Sequence, residues 1–195
     1  MYAWNYKMQQ TDLDIRAFLI AETFNFIKRV VKIPGIKRIA IIGSLARSKT
    51  NPKDVDILIT IDDEADLTAL ATAARTLKGM AQSKNKGADI FLANPSEKYI
   101  GRICQWRRCG PGIRASCDAR HCGRRLYLHD DLDDIKLAPL LVREPPVEVW
   151  PTVICRQEVA SDLLPYLINS GSILKYNHEK TTSQPTINPG GFGCS

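Results

Sequence analysis

Apolar positions along the chain follow two periods, and the change from one to the other marks the elements. In residues 11–31, Ile15, Phe18, Leu19, Phe26, Ile27 and Val30 share one broad face, which predicts a helix. Thr11 can cap it with Asp14 at the third helical position, and Pro34-Gly35 ends it. Residues 36–42 predict a strand that runs into Gly43-Ser44, and residues 44–48 a short helix. Asn51-Pro52 reads as a turn, and residues 55–61, apolar on both faces, as a buried strand. Asp62-Asp63-Glu64 opens a helix to about Met80, with its acids at the positive end of the helix dipole. Residues 87–93 predict a third strand.

At Asn94-Pro95-Ser96 the pattern breaks, and residues 96–125 become rich in Cys, Arg and Gly with weak periodicity. Beyond them, residues 132–141 suggest a short helix with Pro139 straining its last turn. Residues 147–154 suggest an edge strand, and residues 158–169 a final helix interrupted by Pro165. From Ser170 the chain is polar with Gly and Pro, the composition of a flexible tail. The expected division is a core at 8–95, a Cys/Arg-rich segment with C-terminal elements at 96–169, and the tail at 170–195.

The most specific chemistry lies at the first strand junctions. Gly43-Ser44 is followed after nine residues by Asp54-Val55-Asp56. Strand side chains alternate faces, so Asp54 and Asp56 point the same way and Val55 points into the core. Adjacent carboxylates repel unless a cation sits between them, and hard oxygen donors suit Mg²⁺ and substrate phosphates together. Asp89, in Lys86-Gly87-Ala88-Asp89, supplies a third carboxylate from the next strand. Such a set suits a two-metal site for displacement at phosphorus. Gly-Ser before a helix, or a D-x-D pair alone, is more often a cap or a solvated edge; the joint pattern is what carries weight.

On these residues the chain resembles the nucleotidyltransferase superfamily typified by DNA polymerase beta, in a minimal form spanning roughly residues 10–95. Arg47 also matches the Arg of the family's frequent G-S-x-A-R-G, with Ser48 in place of the final Gly. The resemblance implies an α/β or α+β fold, a small mixed sheet flanked by helices. It implies transfer of a nucleoside monophosphate from an NTP to an acceptor hydroxyl, with release of pyrophosphate. Asp54 and Asp56 would hold two Mg²⁺, and Asp89 would ligate one of them and help deprotonate the acceptor. Gly43 and Ser44 would cradle the triphosphate, with Arg47, Lys49 and Lys53 neutralising its charge.

Charge is placed unevenly. Residues 101–125 hold seven Arg and one acid, Asp118, which equals the formal excess of +6 for the whole chain. Arg107, Arg108, Arg114, Arg120, Arg124 and Arg125 are candidate nucleic-acid contacts, because guanidinium pairs with phosphate in a planar fork and stacks on bases. In the same stretch Cys104, Cys109, Cys117 and Cys122 lie within 19 residues, the density of a structural Zn²⁺ site. His121 is an alternative ligand to Cys117 or Cys122. Zinc would supply folding energy to a segment poor in apolar residues and would leave a loop-rich, zinc-stabilised appendage. Trp106 either stacks on a base or covers the zinc loop. The acidic run at residues 130–134 reads as a solvated helix start facing the Arg cluster.

The N-terminal residues lack an apolar signal core, and no run reaches the ~18 apolar residues of a membrane span, so a cytoplasmic protein without membrane contact is expected. Three readings of the function remain open. The Arg-zinc segment favours RNA, at a tRNA-like 3′ end. The small size favours a partner protein modified with AMP, as in toxin–antitoxin pairs. A non-catalytic zinc-bearing subunit that binds nucleic acid or protein is the third, and the intact carboxylate set argues against it.

Overall fold

The computed structural model describes residues 2–109, 125–129, 131–169 and 174–176, with side chains for residues 12–109, 125–129 and 131–168. Among the described residues eight strands form one mixed sheet: β1 (Ile36–Ile42), β2 (Asp54–Ile61), β3 (Gly87–Ala93), β4 (Tyr99–Ile103), β5 (Leu128–His129), β6 (Val147–Trp150), β7 (Val153–Cys155) and β8 (Leu174–Tyr176). Their order is β5-β4-β3-β2-β1-β6-β7-β8. β2 runs parallel to β3, and β7 to β8; the other neighbours are antiparallel. The sheet is larger than expected and crosses the boundary expected at residue 95, because β4 pairs with β3 and β6 pairs with β1.

Two long helices cover one face. α1 spans Tyr2–Val30 and α2 spans Leu67–Gln82. They bury Leu19, Ile20, Phe26, Leu70, Ala74 and Leu77 against Ile39, Ile41, Val55, Ile57, Ile59 and Ile90 of the central strands. Each such aliphatic or aromatic side chain contributes roughly 1.5–3 kcal/mol on leaving water. The alternate positions Ala40, Ile42, Leu58 and Ala93 face the opposite side and pack under Val142, Leu137 and Leu141. This explains why β2 reads as apolar on both faces.

Several boundaries differ from expectation. α1 runs through Thr11, which is therefore not its start. Residues 43–48 form successive turns and not a helix. α2 begins only at Leu67, because Asp66 accepts a hydrogen bond from Thr68 N at 2.9 Å and caps it; Asp62, Asp63 and Glu64 lie before the cap. β4 arises inside the segment expected to be loop-like. Pro139 starts α3 (Pro139–Arg143), where its missing N–H costs nothing, and does not strain an end. Residues 147–154 split into β6 and β7 around a cis Trp150–Pro151 peptide, and β6 is interior, flanked by β1 and β7. The last helix, α4, is short (Leu164–Asn169) and takes Pro165 in its first turn. Of the expected tail, only β8 falls among the described residues.

Candidate functional site

The carboxylates gather where β2 and β3 begin. Asp56 and Asp89 are register partners on these parallel strands, and Asp54 pairs in register with Gly87. All three residues share the face opposite α1 and α2, since Val55, Ile57, Ala88 and Ile90 take the other. Two glycines make room for them. A Cβ at Gly43 would lie 2.1 Å from Asp56 Oδ2, and one at Gly87 would lie 2.2 Å from Asp54 Oδ1. Gly43 also has φ +69°, in the left-handed region that glycine adopts without a Cβ penalty. The Gly43 turn is therefore packed directly on Asp56.

Charge crowding is visible at Asp56. Burial, then the charges of Asp54 and Asp89, push its pKa from 3.8 to about 6. The donor set thus has the chemistry to take a hard divalent cation, which would relieve that repulsion. Among the described residues no group of three or more His, Cys, Asp or Glu is placed to hold a metal ion.

A cation already pairs with Asp89. Arg102 Nη1 lies 3.1 Å from Asp89 Oδ1, and Arg102 Nε donates to Asp131 Oδ2 at 2.5 Å. Tyr99 Oη donates to the other oxygen of Asp131 at 2.7 Å. The Asp131 side chain is 1% exposed. Burial and the Asp131 hydrogen bond push the Tyr99 phenol well above its ordinary pKa, so it remains a donor. Strict alternation would send Tyr99 and Arg102 to opposite faces of β4. The irregularity between Leu92 and Ala93, with Gly101 at φ +128°, brings both to the carboxylate face. Asp131 is thus not part of a solvated helix start: residues 132–134 form a turn, and Asp131 is the buried anchor of this network.

The turn after β1 is held from behind. Arg16 of α1, 3% exposed, donates from Nη1 to Lys49 O at 2.9 Å and from Nη2 to Leu45 O at 3.2 Å. Its Nε and Nη2 form a two-pronged pair with Asp162 at 2.6 and 3.0 Å. Leu45 and Ala46 are fully buried, so the turn is pinned on both sides. Ser44 is half-buried, Arg47 is exposed with Nε 3.4 Å from Gly43 O, and Lys49 and Lys53 are exposed. The signal for Arg16 was in the sequence: it stands one turn before Leu19 and Ile20 on the face that continues to Thr23 and Ile27.

Beyond Asp89 a cavity of about 960 Å³ opens between the C-terminal half of α2, the end of β4 and residues 104–108. Arg75 supports its floor by donating to Gln105 O at 3.0 Å and to Trp106 O at 2.8 Å. Arg107 and Arg108 are exposed at its wall. Arg125 is placed elsewhere: it is half-buried and donates to the carbonyls of Asp62 and Ala65, tying the loop before α2 rather than facing a ligand. Arg114, Arg120 and Arg124 lie outside the described residues.

Of the expected zinc ligands, Cys104 is buried and Cys109 half-buried, both as thiols, and Cys109 Sγ accepts Tyr127 N at 3.0 Å. Cys117, Cys122 and His121 lie outside the described residues. Cys155 is buried in the core, and burial alone pushes its thiol up, as befits an inert packing residue.

No family model, curated protein or solved structure matches the chain. Among the described residues no helix is long and apolar enough to cross a membrane.

Proposed function

We propose that the protein transfers a nucleoside monophosphate from an NTP to an acceptor hydroxyl, on a polymerase beta-like nucleotidyltransferase scaffold. The observation that carries this reading is the convergence of Asp56, its register partner Asp89 and the Gly43 turn at one end of β2 and β3. Asp54 and Asp56 would bind Mg²⁺, with Asp89 completing the set once it exchanges Arg102 for metal. Bound Mg²⁺ would supply charge neutralisation at the α-phosphate and align the attacking and leaving oxygens.

The chain's own groups do the positioning. Backbone N–H groups of the Gly43-Ser44 turn and the Ser44 hydroxyl receive the triphosphate. Arg47 lies at the same turn for charge on the β- and γ-phosphates, with Lys49 and Lys53 nearby. The acceptor oxygen attacks the α-phosphorus, the bond from that phosphorus to the bridging oxygen breaks, and pyrophosphate leaves. The acceptor's proton passes to Asp89, which is free to take it once Arg102 has withdrawn. Catalysis by orientation and charge alone is sufficient for this chemistry.

The test is a labelled-NTP assay with Mg²⁺ and a lysate divided into RNA and protein fractions. Wild type labels an acceptor and Asp56→Ala labels none. Equal labelling by both proteins removes the reading, and label in a protein band moves the acceptor to a partner protein.

A further inference from the structure

The cavity beside Asp89 is unusual in its lining. Arg75, Lys78, Arg102, Arg107 and Arg108 face it, against Asp89 as the one carboxylate among the described lining residues. Trp106, 56% exposed, stands at its rim. The sheet order fixes its relation to the site: β1 with its Gly43 turn lies on one side of β2, and β3 and β4 lie on the other. A triphosphate in the Gly43 turn and a ligand in the cavity would therefore lie to opposite sides of β2 along the sheet, with the cavity reaching from α2 to Asp89.

We infer that this cavity binds the phosphate backbone of a single-stranded oligonucleotide and brings its terminal hydroxyl to Asp89. The inference rests on the nucleotidyl-transfer reading for its role, and on the lining alone for its ligand. Guanidinium groups match phosphate as bidentate donors, and four of the five cations are arginines. An exposed indole beside a cationic groove is the recurring platform for an unpaired base. The volume exceeds what one phosphate requires and lies within the range of small-ligand sites. Arg75 is held by two backbone carbonyls, which fixes its charge without neutralising it. Arg102 reaches both the cavity and Asp89, so it would report occupancy by moving toward the incoming phosphate and releasing Asp89 to metal.

The experiment uses fluorescein-labelled oligouridylate and anisotropy over a series of salt concentrations, with the full chain. Wild type binds, and affinity falls steeply with salt. Arg107→Ala/Arg108→Ala weakens binding by about tenfold or more and makes the salt slope shallower by roughly 0.7 per lost phosphate contact. Both side chains are exposed, so the variant keeps the wild-type melting temperature. No binding by wild type, or an unchanged affinity and slope in the double variant, overturns the inference. So does Mg²⁺-dependent labelling of a protein that is insensitive to the two substitutions. Asp56→Asn separates this inference from the reading beneath it: the variant binds oligouridylate like wild type and transfers nothing. Arginine-dependent binding in a wild type that transfers nothing retains the cavity and removes the enzyme.

Discussion

Gly43 and Asp56 are packed so closely that a single Cβ on the glycine would fall 2.1 Å from the Asp56 carboxylate oxygen. The turn and the carboxylate are one unit, and neither can shift without the other. Gly43→Ala therefore meets two penalties. The left-handed backbone costs about 1–2 kcal/mol for a residue with a Cβ, and the clash drives Asp56 from its position. Thermal unfolding should show the first. A fall in transfer rate on the order of a hundredfold should show the second. A Gly43→Ala protein with wild-type rate would mean that the turn does not set the carboxylate.

Asp56 makes stability depend on pH. Its folded pKa, about 6, lies above the ordinary 3.8, so the folded state prefers it protonated. That preference is fully present below about pH 3.8 and is lost as pH rises through about 6. After allowance for solvent screening the loss is about 1–2 kcal/mol. Mg²⁺ should restore it by neutralising the carboxylates. The melting temperature should thus rise with Mg²⁺ more at pH 7.5 than at pH 5, and Asp56→Asn should abolish the difference. An equal Mg²⁺ effect at both pH values would separate metal binding from this group.

Arg16 supports the turn after β1 from behind, through the carbonyls of Leu45 and Lys49. Arg16→Ala leaves the carbonyls of Leu45 and Lys49 without their donor and breaks the pair with Asp162, at a cost of about 2–4 kcal/mol. Arg16→Lys should recover little, because an ammonium cannot span two carbonyls and a carboxylate as the planar fork does. The KM for NTP should rise in both variants, with a smaller change in kcat. Wild-type KM in Arg16→Lys would show that charge alone suffices.

Asp131 should act on Asp89 through Arg102. Asp131→Asn keeps the shape but weakens the hold on Arg102, so kcat should fall by about tenfold while the KM for NTP stays constant. Tyr99→Phe removes one hydrogen bond and should cost about 1 kcal/mol with a smaller effect on rate. Unchanged kinetics in Asp131→Asn would make the network purely structural.

The cysteine segment predicts a metal content. Elemental analysis should find about one zinc per chain, and Cys109→Ser should lower both that content and the melting temperature. A zinc-free, fully folded wild type would refute the site.

Local pattern alone was enough to locate the inner strands and to set Asp54 and Asp56 on one face. β1 and β3 occupy the expected residues, 36–42 and 87–93, and β2 begins one residue before the expected 55–61, because apolar runs bounded by Gly, Pro and Asn carry their own punctuation. The alternation at residues 54–56 sufficed to place Asp54 and Asp56 on one face. What the tertiary structure decided depends on partners distant in sequence. Whether residues 99–103 form a strand was settled by β3, and the shared face of Tyr99 and Arg102 by an irregularity whose Gly101 would, with a Cβ, meet His129 O at 2.4 Å. Asp131 read as a solvated charge in an acidic run and Arg125 as a nucleic-acid contact; folding set Asp131 against Arg102 and Arg125 against two backbone carbonyls. Local period records which way a side chain points, but a charge acquires its role only from the groups that folding brings within about 3 Å of it.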